Sequence, residues 1–513
     1  MKNRDTQAAW KYHDGTKHSY WSIRNNPHIL DWANRPQPFK IYPAIEPFLL
    51  PRDVPQTGAA ALSAISDQIR TSRVDSVPSL QDLARILYFS AGITKRREFA
   101  GGEIFFRAAA CTGALYEIEL YVVSGDVPGL EAGVYHFNPA DVSLRLLRKG
   151  DFRGTLAQAT ATEPAVVLAP AVIICTGTYW RNAWKYQART YRHFGWDNGT
   201  LLANLLAVSS ASGLPAEIVL GFLDAEVNQL LDLDTRREVS LCLVPIGRTS
   251  QSSLPTPREA PVLGLETIPL SEREVEYPAM LEMHEASSLE SGEEVAQWRG
   301  KQPVFASPSP VGEEVQLQRL PEEEQTRDTI EQVILRRGST RSFDKTASMT
   351  LAELSTILDR ATRGIPADFL QLDAQLSDLY LIVHSVQGLK PGGYFFRRER
   401  NSLELWKEGK FRAHAHHLGL GQDLPADASV DIFFLADLNR ILKQYGNRGY
   451  RAVQLEAGAI GGKMYLAAYA QRLGATGLTF FDDDVVNFFS PHAKGKSAIF
   501  LLAIGKPLKR KLQ

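Results

Sequence analysis

The chain has 513 residues, of which 44% are hydrophobic and 22% charged, so it has the composition of an ordinary globular protein with two or three domains. Its 57 Lys and Arg residues nearly balance its 58 Asp and Glu residues, which argues against a nucleic-acid partner. The three cysteines, Cys111, Cys175 and Cys242, have no paired spacing, which excludes a disulfide scaffold or a cysteine-zinc site. The amino-terminal residues lack the apolar core of a signal peptide. Because the apolar run around Ala165–Cys175 contains Pro170 and is too short to cross a bilayer, we expect a cytoplasmic protein with no membrane partner.

The predicted elements mix helices and strands without a regular β-α-β alternation, which favours an α+β fold. Residues 1–50 contain prolines and aromatics and are interpreted as an extended arm on the domain surface. The helix predicted at Gly199–Ser212 is apolar on all sides and therefore should lie between layers. Other predicted elements, in chain order, are a helix around Leu80–Leu87, a strand at Ile118–Val123, a hairpin beginning at Gly133 and a buried strand at Ala171–Cys175.

The same pattern occurs twice, 259 residues apart, as in the segments GLEAGVYHF from Gly129 and GLKPGGYFF from Gly388. The offset also relates YQARTYR, from Tyr186, to YGNRGYR, from Tyr445. A constant offset over so long a stretch indicates two homologous domains. The arginines and tyrosines shared by the second pair of segments predict a structural role at the domain interface; they are Arg189, Tyr191, Arg192, Arg448, Tyr450 and Arg451.

The stretch at 270–325 is rich in proline, serine and clustered acids, which is typical of a solvated linker. We therefore predict an arm at 1–50, a first domain at 51–269, the linker at 270–325 and a second domain at 326–513.

The sharpest local motif is RRGSTRSFD at Arg336–Asp344. Its three guanidinium groups surround the hydroxyls of Ser339 and Thr340, and these donors suit phosphate oxygens; its glycine permits close approach of the backbone. A solvated basic helix end is the alternative interpretation.

The RRGSTRSF segment resembles the phosphate-binding motif of nitroreductase-like flavoproteins. The segment FRAAACTGALYEIELYVV, Phe106–Val123, resembles a loop and strand of the SagB/ThcOx-type dehydrogenases of that superfamily, and residues 185–234 are similar to the same branch. The resemblance implies two tandem nitroreductase-like domains, each a mixed β-sheet flanked by helices. It also implies FMN bound at a dimer interface, which here would lie between the two halves of one chain in an intramolecular pseudo-dimer.

Site residues follow from the resemblance. Lys185 and Tyr186 would be the catalytic pair that gives or takes a proton beside hydride transfer at flavin N5. The phosphate would be held by the RRGSTR motif and by lysines near the carboxyl end, and backbone amides would face the isoalloxazine edge. The cofactor-binding residues implied are Arg107, Cys111, Thr112, Gly113, Arg336, Arg337, Gly338, Ser339, Arg341, Thr479, Phe480, Lys506 and Lys509.

The two copies are unequal. The second copy keeps RRGSTR, where the first offers only IRTSRVD, Ile69–Asp75, or TKHS, Thr16–Ser19. The first keeps the CTGALY loop and the Lys-Tyr pair, where the second has Asp373 within its loop and Gln444 before its tyrosine. Since an acid beside a phosphate or a reduced flavin is unfavourable, we expect one competent FMN site per chain.

The expected function is an FMN-dependent dehydrogenase acting on a modified peptide or another small molecule, with oxygen reoxidising the flavin. One alternative is an NAD(P)H-dependent reductase of nitro or quinone compounds, and another is a flavin-binding or partner-binding protein without turnover. No metal site is expected, because the histidines at 414, 416 and 417 have no second ligand cluster.

Overall fold

The computed structural model describes residues 2–68, 74–99, 102–250, 254–299, 309–371 and 374–508. We call residues 2–269 the first half and residues 270–508 the second half. The helices are α1 Gln7–Gly15, α2 Tyr20–Arg24, α3 Ala61–Ser66, α4 Leu80–Ala91, α5 Arg153–Ala159, α6 Pro164–Val167, α7 Tyr179–Tyr186, α8 Thr190–Ala211, α9 Asp224–Leu230, α10 Pro278–Ala286, α11 Gly292–Trp298, α12 Ile330–Arg336, α13 Leu351–Ala361, α14 Arg412–Leu418, α15 Asp423–Asp427, α16 Leu438–Tyr445, α17 Arg448–Ala470 and α18 Asp482–Phe489.

The strands are β1 Pro47–Leu49, β2 Ile93–Phe99, β3 Gly102–Arg107, β4 Ile118–Ser124, β5 Gly133–Asn138, β6 Ser143–Lys149, β7 Ala171–Thr178, β8 Glu238–Ile246, β9 Glu313–Gln316, β10 Met349–Thr350, β11 Asp378–Val383, β12 Val386–Gln387, β13 Gly392–Arg397, β14 Ser402–Glu408, β15 Val430–Ala436, β16 Gly474–Leu478 and β17 Ser497–Gly505.

Each half has one large sheet. The strand order is β1-β6-β5-β4-β7-β8 in the first half and β16-β17-β15-β11-β13-β14-β9 in the second. The predicted α+β architecture is confirmed. The sheets were expected to be mixed, but every ladder between their named strands is antiparallel, because neighbouring strands are joined by hairpins or by returning helices.

The two halves pack through the central helices α8 and α17. A Cβ at Gly199 would lie 2.4 Å from the backbone nitrogen of Ala459, and one at Gly458 would lie 2.5 Å from the carbonyl oxygen of Trp196. The two glycines correspond under the 259-residue offset, so the close approach is reciprocal. The prediction that the apolar helix lies between layers is confirmed, although α8 begins at residue 190 and not at 199.

Two buried ion clusters join the halves. Asp224 of the first half pairs with Arg448 and Arg451 of the second, each at 2.7 Å. Although burial alone would raise the pKa of Asp224, these two arginines lower it to about 2.

Asp482 of the second half repeats this arrangement with arginines of the first. Its partners are Arg189 at 3.0 Å and Arg192 at 2.6 Å, which correspond to the two arginines of the other cluster. The predicted structural role of the repeated arginines at the interface is thus confirmed.

The prediction of an extended arm at 1–50 was wrong for α1 and α2, and the prediction of a solvated linker at 270–325 was wrong for α10 and α11. These segments are structural equivalents. Arg192 donates to the carbonyl of His13 near the end of α1, and Arg451 donates to the carbonyl of His284 near the end of α10. Because the helix ends satisfy buried arginines, tertiary contacts order segments that have a weakly apolar composition. The domain boundaries stay a prediction. Among the described residues, no helix is both long and apolar enough to span a bilayer.

Candidate functional site

The RRGSTR motif lies where the two halves meet, directly after α12, which starts with a capping box at Thr329 and ends at Arg336. The Arg337 guanidinium reaches into the first half and donates to the carbonyls of Ala108 and Arg107, each at 3.0 Å. Ala108 lies just before the CTGALY loop, so this contact brings the two predicted cofactor motifs together.

The three arginines of the motif differ in their partners. Arg336 donates to the Asp328 carboxylate at 2.7 Å and to the Tyr469 carbonyl at 3.0 Å, and Arg337 is bound as described above. Arg341 is exposed and has no hydrogen bond or ion pair with any residue that the structure describes. The assignment of these arginines to FMN and its phosphate stays a prediction: Arg336 and Arg337 already have protein acceptors, and Arg341 is available to an anion.

The turn between these arginines is open. A Cβ at Gly338 would have the Tyr469 hydroxyl, at 3.5 Å, as its nearest neighbour, and the Ser339 hydroxyl is 3.5 Å from that of Tyr465. An open turn with a hydroxyl and a free guanidinium has the donors that a phosphate monoester requires.

Two lysines near the carboxyl end, Lys506 and Lys509, are predicted to help hold the phosphate. The Lys506 ammonium donates to Glu353 at 2.8 Å, so its charge is paired. Lys509 lies outside the described residues.

In the first half, a buried carboxylate of α8 holds the CTGALY loop. Asp197 accepts hydrogen bonds from the amide and the hydroxyl of Thr112, both at 2.9 Å. The Cys111 thiol lies 3.4 Å from Asp197 and 3.3 Å from Glu117. The Thr112 amide, expected to face the flavin, is therefore committed to Asp197.

The thiol and the two carboxyls form a compact group. Their ligand-type atoms lie within 4.8 Å of one another. Burial, reinforced by the neighbouring acids, raises the pKa of the Cys111 thiol and of the Asp197 carboxyl. Their protonated forms are favoured, so Cys111 is a poor nucleophile here. This group was not predicted from the sequence. Asp197 corresponds to Glu456, however, and an acid at the same place in two apolar helices was a signal that could have indicated it.

The predicted catalytic pair ends α7 and lies over the CTGALY loop. A Cβ at Gly113, whose φ is 65°, would lie 2.8 Å from the Tyr186 hydroxyl, so only a glycine leaves room for the phenol. The Lys185 ammonium is 5.2 Å from the centroid of the Tyr186 ring.

The electrostatics link this pair to the motif of the other half. Burial, and then the charge of Arg341, lower the pKa of Lys185. Burial raises the pKa of Tyr186, and Asp197 adds to the rise. Since the charge of Arg341 acts on both members of the pair, the guanidinium of the second half lies close enough to the Lys-Tyr pair of the first to influence it.

Arg107 is bound differently from the expectation. Its guanidinium donates to the Pro38 carbonyl at 2.6 Å and lies over the rings of Phe39 and Tyr116, at 5.6 and 5.1 Å. It therefore anchors the amino-terminal segment to the site.

The backbone amides of Thr479 and Phe480, which are predicted to face the isoalloxazine edge, are available to a ligand. Within the described ranges, neither amide N–H has a hydrogen-bond acceptor. The Thr479 hydroxyl lies 3.0 Å from Nδ1 of His18. Two free amides at the edge of the site suit the carbonyl and ring-nitrogen acceptors of an isoalloxazine edge.

The equivalent amides of the other half are not free. Leu220 and Gly221 donate to the two oxygens of Asp368, at 2.9 and 2.7 Å. Burial raises the pKa of Asp368 to about 7. Asp373, expected to block this second site, lies outside the described residues, and Asp368 binds the amides instead.

The remaining space of the second site is filled by aromatic side chains. Tyr445, the counterpart of Tyr186, is buried and donates to the Phe369 carbonyl at 2.7 Å. The indole of Trp298, which is 1% exposed, lies 5.4 Å from the Tyr445 ring and donates to the Tyr445 carbonyl at 2.9 Å. Trp298 was not predicted to line a site, because its stretch of chain has the composition of a solvated linker.

Comparisons with known proteins identify the fold of the two halves. The Nitroreductase family profile matches residues 334–506. A protein of Methanocaldococcus jannaschii provisionally described as a nitroreductase is 29% identical over 170 residues, which are 33% of this chain and 81% of that protein. The trifolitoxin-processing protein TfxB of Rhizobium leguminosarum bv. trifolii is 30% identical over 162 residues, which are 30% of this chain and 43% of TfxB, so the match spans less than half of that relative.

A solved structure matches the whole chain. The crystal structure of a protein from Anabaena variabilis, provisionally described as a nitroreductase, has a TM-score of 0.78 and 25% identity, and the match covers 98% of this chain and 99% of that one. Residues 334–506 thus form a domain of the nitroreductase family, and the chain as a whole consists of two nitroreductase-like halves.

Proposed function

We propose that the chain is an FMN-dependent oxidoreductase with one flavin site, built from the RRGSTR turn of the second half and from the CTGALY loop and Lys185-Tyr186 pair of the first. The observation that carries this proposal is the difference between the two sets of equivalent amides. Those of Thr479 and Phe480 have no acceptor among the described residues, whereas those of Leu220 and Gly221 donate to Asp368.

The residues of the first site fit FMN. Arg341 and the Ser339 hydroxyl would hold the phosphate at the open turn, and the amides at Thr479 and Phe480 would bind the ring edge. The loop around Gly113 and the phenol of Tyr186 would bound the remaining space. The second site does not fit FMN, because a carboxylate binds its amides and Trp298 fills the space beside Tyr445.

When bound, FMN would supply a centre that accepts or donates hydride. Residues of this chain would give or take the proton that accompanies hydride transfer. Lys185, whose pKa is lowered by burial and by Arg341, can give up a proton at lower cost than an exposed lysine. Tyr186, whose pKa is raised by burial, stays protonated and can donate a hydrogen bond to the substrate.

The two relatives favour different classes of substrate. The likeness to a trifolitoxin-processing protein favours a modified peptide as the substrate. The first candidate is a dehydrogenase that oxidises such a peptide or another small molecule, with oxygen as the electron acceptor. The likeness to a protein provisionally described as a nitroreductase favours the second candidate, an NAD(P)H-dependent reductase of nitro or quinone compounds. A cytoplasmic location stays a prediction.

The absorbance of the purified protein tests the proposal. We expect a yellow chromophore that dithionite bleaches and air restores. Colourless protein that does not bind added FMN would instead indicate a protein without turnover. NADPH consumption in the presence of menadione or a nitroaromatic would favour the reductase over the dehydrogenase.

A further inference from the structure

Residues 16–32, which we call the arm segment, link Thr479 of the second half to residues beside the Lys-Tyr pair of the first. At one end, the His18 ring lies 3.0 Å from the Thr479 hydroxyl. At the other, the Asn26 amide donates to the Gln187 side chain at 2.8 Å, and the Trp184 indole donates to the Asp31 carbonyl at 2.9 Å. The arm segment is therefore attached to the residues that directly flank Lys185 and Tyr186.

The attachment at Gln187 is maintained at a conformational cost. Gln187 has φ 51° and ψ −141°, a region that essentially only glycine occupies without strain. Its counterpart, Gly446, has nearly the same angles, φ 67° and ψ −159°. The first half thus keeps a side chain where the second uses glycine, and that side chain holds Asn26.

The arm segment carries exposed aromatic residues. Trp21 and Trp32 are each 66% exposed. The Trp32 ring meets Trp184 edge-on at 5.2 Å, and the Trp21 ring meets Tyr20 in the same way at 5.2 Å. Aromatic side chains left in solvent beside a proposed active site are candidates for ligand contact.

The equivalent segment of the second half, which contains α11, indicates the role of the arm segment. The amide of His18 donates to Asp482 just before α2, and the amide of Leu289 donates to Asp224 just before α11, so the two helices are equivalent. Helix α11 continues to Trp298, whose indole is buried against Tyr445. Helix α2 ends at Arg24, and among the described residues no ring of the arm segment packs on Tyr186, which instead meets the His193 ring of α8 edge-on at 4.7 Å.

Building on the proposed function, we propose that the arm segment is the substrate-recognition element of the site and binds an aromatic ring system of the substrate against the indoles of Trp21 and Trp32. The ring of the substrate takes the part that Trp298 plays in the second site. Gln187 is a positioning residue that fixes the segment beside Tyr186.

A calorimetric titration of the purified full chain with naphthalene-2-sulfonate tests this proposal, with cyclohexanesulfonate as the non-aromatic anion of the same charge. Naphthalene-2-sulfonate should bind roughly tenfold more tightly than cyclohexanesulfonate. Trp21→Ala and Trp32→Ala should each weaken its binding by roughly three- to tenfold. Gln187→Gly, which relieves the backbone but removes the tether to Asn26, should weaken it as well.

Phe48→Ala is the matched control, because Phe48 is also an exposed aromatic but lies on β1, three strands from β4 in the first sheet. Equal binding of the two sulfonates, or equal affinities for naphthalene-2-sulfonate in wild type and the tryptophan variants, would overturn the proposal, as would an equal loss in Phe48→Ala.

A second measurement tests whether the arm segment binds the substrate of the redox reaction. After dithionite reduction of the flavin-loaded protein, reoxidation by menadione should saturate, and the tryptophan variants should raise the half-saturating concentration without changing the limiting rate. A changed limiting rate with an unchanged half-saturating concentration would contradict recognition by the arm segment. Failure of the protein to bind flavin would refute the proposed function, whereas the sulfonate titration, which needs no flavin, would still decide the role of the arm segment.

Discussion

The site at Tyr186 and its counterpart at Tyr445 are built from equivalent helices, loops and strands, yet the chain's own groups satisfy the backbone amides of only the second; we call the first the open site and the second the filled site. In the open site, the backbone amides at Thr479 and Phe480 have no acceptor within the described parts of the chain. In the filled site, Asp368 accepts from the equivalent amides, and Trp298 lies against Tyr445. A duplicated site can therefore differ between its two copies through a few local groups that satisfy donors and occupy volume, while the scaffold stays the same.

The scaffold itself is nearly symmetric, and breaking either interface cluster should have the largest effect. Asp224→Ala and Asp482→Ala each leave two buried arginines without their carboxylate, so each should lower the free energy of unfolding by about 3–5 kcal/mol. Urea unfolding measures this quantity. A loss below about 1 kcal/mol for one variant, with a full loss for the other, would show that the halves are not held together equivalently.

Trp298 should contribute to stability as a core residue, unlike the exposed tryptophans of the arm segment. Trp298→Ala should cost about 3–5 kcal/mol because it leaves a cavity in the filled site. Trp21→Ala, the matched change on the equivalent helix, should change stability by less than about 0.5 kcal/mol because Trp21 is exposed. Similar thermal unfolding of the two variants would contradict the distinction between a filled and an open site.

Two substitutions in the open site should separate the loss of FMN binding from the loss of turnover. Arg341→Ala should weaken FMN binding by about 1.5–3 kcal/mol, because a charge-assisted contact to the phosphate is lost. Lys185→Ala should retain flavin but slow turnover by roughly 10²-fold if Lys185 transfers a proton. Flavin fluorescence after desalting and steady-state rates provide the two readouts. Equal flavin retention in both variants would mean that the motifs are assigned to the wrong halves.

Helix α17 offers a smaller, pH-dependent test, because it carries Lys463 where α8 has Asn204. Burial lowers the pKa of Lys463 to about 7, far below its value in the unfolded chain. Between pH 7 and about 10 the unfolded chain therefore binds more protons than the folded one, and the cost of burying this lysine falls by about 1.4 kcal/mol per pH unit as pH rises.

Lys463→Met removes that cost. The variant should gain stability over wild type below pH 7, and the gain should shrink as pH rises from 7.5 to 8.5. Denaturant unfolding at the two pH values measures the difference. A gain that does not change with pH would show that Lys463 is charged in the folded protein.

The sequence predicted the parts of the fold that repeat. The constant offset identified the two halves, and the recurrence of Arg189 and Arg192 as Arg448 and Arg451 indicated their place at the interface. These features could be recognised from the sequence because the offset is constant and equivalent residues contact equivalent partners in the two halves.

The filled site could not be predicted in the same way. Trp298 and His13 lie in stretches whose proline and polar content is typical of solvated chain, and they are ordered by distant partners such as Tyr445 and Arg192. Asp368 precedes the loop position where an acid was expected, and only the fold brings it to the amides of Gly221. The conformation of Gln187 likewise becomes visible only from backbone angles.

The stoichiometry of bound flavin tests the central claim most directly. Native mass spectrometry of the chain, saturated with FMN and then desalted, should show one FMN per chain in wild type and in Trp298→Ala, since Asp368 still binds the amides of the second site. A ratio near two in the wild type would contradict the account, because it would require flavin in the site that Trp298 and Asp368 fill.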